Sequence, residues 1–318
     1  MADKYQFGRD YTLYIGKPGS DEALAIKDLQ ITFSVEHVID TKLEVSKATI
    51  KIFNLSPDTY GKLQIPKNYV RLLAGYKGSG MAEVLLGNTT DVKTEREGQD
   101  IVTTITVAEA YSILHNTRVT STFPPGSSVK DVIEGIAKKA GLNLGDIKGA
   151  GIKSPLLYGY PTSGTFKSQM DEICNAYKLV YSVKGDRLSV VDEGQPMKTN
   201  ETEAFIFDST SGLLGFPSYR EFNYGTIKVE SLSTDQKIRK KTESLKKQGI
   251  QFEALLNPRV EPGSLVKVNS EAGSVPKGLY MVVKVTFKGD FRGNDWKMEV
   301  LCDKTDLTAA SIAKLKSK

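Results

Sequence analysis

Two stretches from opposite ends of the chain align without a gap: "LLGNTTDVKTEREGQDIVTTITV" (Leu85–Val107) and "YMVVKVTFKGDFRGNDWKMEVLC" (Tyr280–Cys302). Val92 falls on Phe287, Ile105 on Val300 and Val107 on Cys302, while Gly98, Gln99, Asp100 and Ile101 fall on Gly293, Asn294, Asp295 and Trp296. Both stretches alternate apolar and polar residues around a polar, glycine-bearing turn, which is the pattern of a long β-hairpin. Upstream, "PKNYVRL" (Pro66–Leu72) matches "PGSLVKV" (Pro262–Val268) within a one-residue slip. Each unit therefore reads as a Pro-led strand, a loop, a long strand, a polar hairpin and a second long strand. Such a repeat constrains the chain to a mainly β fold with two similar parts.

The rest of the first part agrees. "YTLYIG" (Tyr11–Gly16), "LQITFSVE" (Leu29–Glu36), "KATIKIFNL" (Lys47–Leu55), "NYVRLLAGY" (Asn68–Tyr76), "AEVLLGNTTDV" (Ala82–Val92) and "DIVTTITVAEAY" (Asp100–Tyr111) have strand alternation. Ser56 as N-cap with Pro57 behind it predicts one short helix among them. After the Pro/Gly/Ser boundary Thr120–Ser128 the period changes to helical. "SVKDVIEGIAKKAGLNL" and "TFKSQMDEICNAYKLVYSV" share one template, with Val129 over Phe166, Ile133 over Met170, Ile136 over Ile173, Ala137 over Cys174 and Leu142 over Leu179. Ser128 with Asp131 predicts a capping box, and Gly141 the stop. A hairpin turned at Gly185 and Asp186 closes this small α/β module. Strands return at Thr226–Leu232, Ser264–Asn269, Gly278–Phe287 and Asp295–Cys302. The expected layout is a β-domain over 1–117, an α/β module over 118–200 and a second β-domain with a C-terminal tail over 201–318. Part of 201–235 could return to the first β-domain.

Few chemical functions fit this composition. The chain has 318 residues and a net charge of +5, with the surplus in Lys237–Lys247 and the terminal Lys314–Lys318. Those runs read as a solvated turn and a tail rather than a nucleic-acid site, because no aromatic residues interleave with them. No apolar run approaches the length of a membrane span, and no export signal is legible at the start, so synthesis in a cytoplasm is expected. Cys174 and Cys302 are far apart, outside any CxxC pattern, and read as reduced core thiols. The two histidines, His37 and His115, form no metal-ligand spacing. No nucleophile elbow, P-loop or dinucleotide fingerprint is present. Nothing nominates a catalytic residue, a cofactor or a metal.

The loop in "FKGDFRGNDWKMEVLC" (Phe287–Cys302) is the one place that invites chemistry. Asp290, Asn294 and Asp295 could be metal ligands, the two carboxylates could be an acid/base pair, or the loop could be a hairpin tip. Comparison with the first copy favours the tip. Glu95 stands where Asp290 does and Gln99 where Asn294 does, and Arg292 occupies a position where a calcium loop wants oxygen.

In combination, "GRDYTLYIG", "SKATIKIFNLSPDTYGKL", "SVKDVIEGIAKKAGL", "TFKSQMDEICNAYKLVYSVKGDRLSVVDEG" and "ALLNPRVEPGSLVKVNS…KGLYMVVKVTFKGDFRGNDWKMEVLC" resemble phage baseplate hub proteins, as in Mu-type contractile tails. The resemblance runs over nearly the whole chain. It implies two tail-tube-like β-barrels around a small α/β module. It also implies a non-enzymatic structural homotrimer that adapts the sixfold tail tube to the threefold central spike. The implied partners are further copies of the chain, the tube protein, the spike and other baseplate proteins. DNA would pass through the lumen without specific binding, no membrane would be entered, and the location would be the virion tail. A tail-borne cell-wall hydrolase, or the hub of a related non-contractile tail or injection machine, is the alternative. The candidate interface residues are those of the two hairpin tips, Glu95, Glu97 and Asp100 in one and Asp290, Arg292 and Asp295 in the other.

Overall fold

The computed structural model describes residues 6–17, 23–38, 47–63, 68–109, 114, 116–184, 187–192, 204–232, 238–269 and 278–304. The chain is mainly β with an α/β insert. Its first part contains β1 (Arg9–Gly16), β2 (Ala23–Ile26), β3 (Ile31–Val38), β4 (Lys47–Phe53), helix α1 (Pro57–Leu63), β5 (Tyr69–Tyr76), β6 (Gly80–Glu97) and β7 (Asp100–Ala108). The Ser56 hydroxyl accepts the Thr59 N–H at 3.3 Å, so α1 is capped as its sequence predicts. β2 carried no legible alternation, being only four residues long and edge-paired to β1.

The insert follows as β8 (Arg118–Phe123), α2 (Val129–Lys139), β9 (Asn143–Ile147), β10 (Tyr160–Thr165), α3 (Phe166–Ala176), β11 (Leu179–Lys184) and β12 (Arg187–Asp192). Ser128 accepts the Asp131 N–H while the Asp131 carboxylate takes the Ser128 N–H at 2.8 Å, completing the capping box. Gly141 ends the helix region at φ +73°, where a Cβ would be strained. The two helix–strand units share one core. Val129, Ile133, Ile136 and Ala137 are buried with Phe166, Met170, Ile173 and Cys174, as the template match requires. The turn at Gly185 and Asp186 lies outside the described residues.

The last part contains β13 (Phe205–Phe207), β14 (Leu213–Leu232), β15 (Ile238–Leu255), β16 (Leu265–Val268), β17 (Gly278–Asp290) and β18 (Trp296–Lys304). Two readings need correction here. β14 begins thirteen residues before the expected Thr226, and the basic run over Ile238–Lys247, read as a solvated turn, is β15. The register from Phe222↔Lys247 to Leu232↔Ile238 makes the two strands a ribbon. Alternation shows the strand only at Thr226–Leu232, whereas the charge-dense Ile238–Lys247 carries no apolar alternation for periodicity to detect.

The repeat is real, and it is more complete than the alignment suggested. In the first part the ladder order is β3-β4-β7-β6-β5-β1; in the last it is β14-β15-β18-β17-β16-β13. These are the same positions in the same chain order, except that β13 runs parallel to β16 whereas β1 runs antiparallel to β5. Both long hairpins carry a one-residue bulge on their first strand. It lies between Thr89 and Asp91 opposite Val107 and Thr106, and between Val282 and Lys284 opposite Cys302 and Leu301. A β-bulge is a local geometric feature with a defined place, so it fixes the correspondence. Cys302 does match Val107, but Val92 matches Val285 and not Phe287: Val92 faces Ile105, and Val285 faces Val300. The gapless alignment therefore slips by two residues on the first strand. The second tip is longer, its last ladder pair being Gly289↔Trp296, whereas Glu97 pairs directly with Asp100 in the first.

The two parts are not separate bodies. β17 pairs antiparallel with β3 from Lys284↔Val38 to Asp290↔Thr32, joining the repeats into one continuous sheet. One core underlies both, with Tyr11, Phe33, Ile50, Leu72 and Ile105 in the same cluster as Phe252, Val285, Phe287, Trp296 and Val300. The α/β insert keeps its own core.

Candidate assembly surface

The six hairpin-tip residues fall into two different environments. In the β6–β7 tip, Glu95 pairs with Lys93 at 2.6 Å, Glu97 with Lys51 at 2.9 Å, and Asp100 accepts the Asn54 amide at 2.9 Å. Asn54, at φ +55°, also takes the Ile101 N–H on its side-chain oxygen at 3.0 Å. All of these groups are exposed, and the tip remains a polar surface feature.

The β17–β18 tip is instead docked on the first part of the chain. The Arg9 guanidinium donates to the carbonyl oxygens of Asp290 (2.7 Å), Gly293 (2.5 Å) and Asn294 (3.0 Å). Gln30 donates to the Asp290 carboxylate at 2.6 Å and accepts the Arg292 N–H at 3.1 Å, and Arg292 donates to the Asp28 carbonyl at 2.9 Å. The remaining demand on Asp290 is met by the Gly293 N–H at 2.8 Å, which makes it the acceptor that closes the turn. Asp295 stands apart, 3.9 Å from Lys297.

Aromatic residues lock the same loop from beneath. Phe291 sits edge-on to Tyr11, with centroids 4.8 Å apart, and Trp296 lies between Phe33, Phe291 and Arg9. The Trp296 indole donates to the Gly75 carbonyl at 3.1 Å in a buried site. Residues more than two hundred positions apart therefore hold this tip, and nothing local in "GDFRGND" announces it. The loop that invited metal or acid/base chemistry is a structural latch. Among the described residues, no group of three or more His, Cys, Asp or Glu side chains is placed to hold a metal ion.

Nor do the remaining candidates form a catalytic constellation among the described residues. His37 is buried, its Nδ1 3.0 Å from the Glu109 carboxylate and its Nε2 2.8 Å from the Val84 carbonyl. Glu109 also accepts the Leu86 N–H, so this pair braces strands. His115 lies outside the described residues. Burial pushes the Cys174 thiol up to about 12 and that of Cys302 well above its ordinary value, which leaves both as protonated core groups. A shallow cleft of about 650 Å³ in the insert is lined by Lys130, Lys148 and Lys153 with Ile147 and Ile152, and offers no nucleophile with a base beside it.

Sequence reasoning missed a different surface. From Ile206 to Tyr219 the chain exposes Ile206, Leu214, Phe216 (71%) and Tyr219 (59%). Pro217 is consistent with an edge strand, since it lacks the N–H that a central strand needs. The signal was available in "LLGFPSYREF", two exposed aromatics around a proline, but its irregular start hides the strand. On the opposite side of the fold, β6 pairs with β5 only over Gly80–Asn88, so its Asp91–Glu97 edge has no strand partner among the described residues.

No protein-family profile matches the sequence, and none of the curated protein sequences does. The fold does have solved relatives. The 43 kDa tail protein of prophage MuSo2 from Shewanella oneidensis superposes with a TM-score of 0.59 at 9% identity, covering 94% of this chain and 98% of that one. A tail protein from Neisseria meningitidis gives 0.60 at 10% identity, covering 96% and 99%. An Escherichia coli component of the type VI secretion system, itself described as similar to the phage T4 tail proteins gp27 and gp5, gives 0.55 at 12% identity over 94% and 80%. The chain thus has the fold of phage tail proteins over nearly all of its length. The same fold occurs in a type VI secretion component.

Proposed function

We propose that the protein is the baseplate hub of a phage tail: a homotrimer that adapts the sixfold tail tube to the threefold central spike and leaves a channel for DNA. The observation that carries this reading is the repetition of one six-strand ladder order twice in a single chain, joined edge to edge. Three copies would present six similar sheets to a hexameric ring and three identical faces to a spike. Heterologous contacts of this kind close into rings when the rotation per subunit is right. The partners are then further copies of the chain, the tube protein, the spike and other baseplate proteins. DNA passes through without specific recognition, and the protein is made in the host cytoplasm and ends in the virion. Its work is assembly and load-bearing rather than catalysis. The β6–β7 tip, with Glu95, Glu97 and Asp100, is the hairpin free to meet a partner. In the other tip, Asp290 and Arg292 serve the chain's own latch.

A second reading, the hub of a related injection machine, is favoured by the secretion-system component that shares the fold. Sedimentation of the purified chain, alone and mixed with candidate tail-tube and spike proteins, tests both. The hub reading expects a trimer that binds both proteins. A chain that stays monomeric at high concentration and binds neither would overturn it.

A further inference from the structure

The join between the two repeats is a template for a second join between copies. Within one chain, the outer edge of β17 is divided: Gly278–Met281 takes β16 and Lys284–Asp290 takes β3. The matching strand in the first repeat is β6. Its outer edge takes β5 over Gly80–Asn88, and the remainder, Asp91–Glu97, is open. The strand matching β3 is β14, which pairs with β15 alone among the described residues. One repeat therefore has an acceptor edge and the other a donor edge, and the chain cannot bring its own two open edges into the contact that it makes at β17–β3.

The ladder registers fix what that contact would be. Through the shared bulge, Lys284 corresponds to Asp91 and Lys288 to Glu95. Through the β4 and β15 ladders, Ser34 corresponds to Ser218 and Glu36 to Arg220. We propose that Asp91–Glu95 of β6 pairs antiparallel with Ser218–Phe222 of β14 in a second copy, with Glu95 opposite Ser218, Thr94 opposite Tyr219, Lys93 opposite Arg220 and Val92 opposite Glu221. This rests on the hub reading and gives its subunit contact a residue register.

Two features of the side chains support this register. The internal join carries a diagonal ion pair on its outer face, Lys284 to Glu36 at 2.6 Å. The corresponding residues are Asp91 and Arg220, again of opposite charge but with the signs exchanged between the strands. Arg220, which donates to Gln251 at 2.8 Å, would stand opposite the like-charged Lys93, a repulsion offset by its diagonal approach to both Asp91 and Glu95, the carboxylate that holds Lys93. On the inner face, Tyr219 takes the place of buried Val35 and would cover the half-buried Val92 and Thr94. That accounts for a large aromatic ring left 59% exposed on an edge strand.

A Glu95→Cys/Ser218→Cys double variant, oxidised under mild conditions, tests the register on non-reducing gels. The native Cys174 and Cys302 are buried and do not compete. The expected product is a covalent ladder ending at three chains, at least ten-fold above either single variant. A Thr94→Cys/Ser218→Cys pair, shifted by one residue to the opposite face, should give none. Arg220→Glu should weaken association by about ten-fold, with recovery on adding Asp91→Arg. If sedimentation finds a trimer in which the shifted pair crosslinks instead, or neither pair does, the register is wrong and the hub reading stands. A strictly monomeric chain overturns both.

Discussion

Arg9 offers the sharpest test of how the two repeats are held together. Replacing it with Ala removes three hydrogen bonds to the carbonyls of Asp290, Gly293 and Asn294 and a cation–π contact 5.7 Å above Trp296. A part-buried hydrogen bond from a charged donor contributes about 1.5 kcal/mol, and each of the two exposed ones about 0.5 kcal/mol. The cation–π contact adds about 0.5 kcal/mol at a site this open to water. The expected loss is thus about 3 kcal/mol. Arg9→Lys keeps the charge but not the planar fork that reaches three carbonyls from one group, so it should lose about 2 kcal/mol of that. Urea unfolding followed by tryptophan fluorescence is suited to this, because Trp296 is the only tryptophan and sits inside the latch. Both variants should lower the midpoint without changing the slope. An Arg9→Ala change below about 0.5 kcal/mol, within the range of an ordinary surface substitution, would refute the latch, as would an Arg9→Lys protein equal to the parent.

Further outcomes follow from packing, capping and burial. A Cβ on Gly289 would lie 2.2 Å from the buried Phe33 ring, so Gly289→Ala should cost about 1–3 kcal/mol by overpacking in a thermal melt. The Thr165 hydroxyl accepts the Ser168 N–H at 3.2 Å, so Thr165→Ala should cost about 1 kcal/mol, seen in the unfolding of the insert. Burial raises Cys174 from 9.0 and Tyr11 and Tyr76 from 10.0, each to about 12. Above pH 9 the unfolded chain releases protons that the folded chain keeps. Stability should therefore be full below pH 9 and fall as pH rises towards 12, as a series of denaturation midpoints would show. Neither thiol should react with an aromatic disulfide reagent at pH 8 until the protein unfolds.

How far the sequence could be read depended on the range of the forces involved. The register of α2 on α3 was legible to the residue, because helical periodicity and capping are local and both helices bury one stripe against a common core. The strands of the first part other than β2 were legible for the same reason, each having one dry face. β14 was legible only over Thr226–Leu232 and β15 not at all, since the dense charges of Ile238–Lys247 look like a turn and mask the short alternation of Ile250, Phe252 and Ala254 that follows them. The duplication was visible, but its register was off by two residues on β17, because apolar alternation tolerates any even slip. Only the bulges at Thr90 and Val283 fix it. The latch could not be read at all, for Arg9 and Asn294 meet only when the whole sheet has formed.

The imperfection of the repeat has a consequence of its own. In the proposed hub, two identical halves in each of three chains would make a ring with no preferred threefold reading. Here one hairpin tip is a bare two-residue turn carrying Glu97 and Asp100, while its counterpart is longer by two residues and pinned by Arg9. Around such a ring bare and pinned tips would alternate, so that the backbone ladders read as six while the tips read as three. On that reading a threefold spike would have two seatings a sixth of a turn apart, and a two-residue difference at a hairpin end would mark one of them.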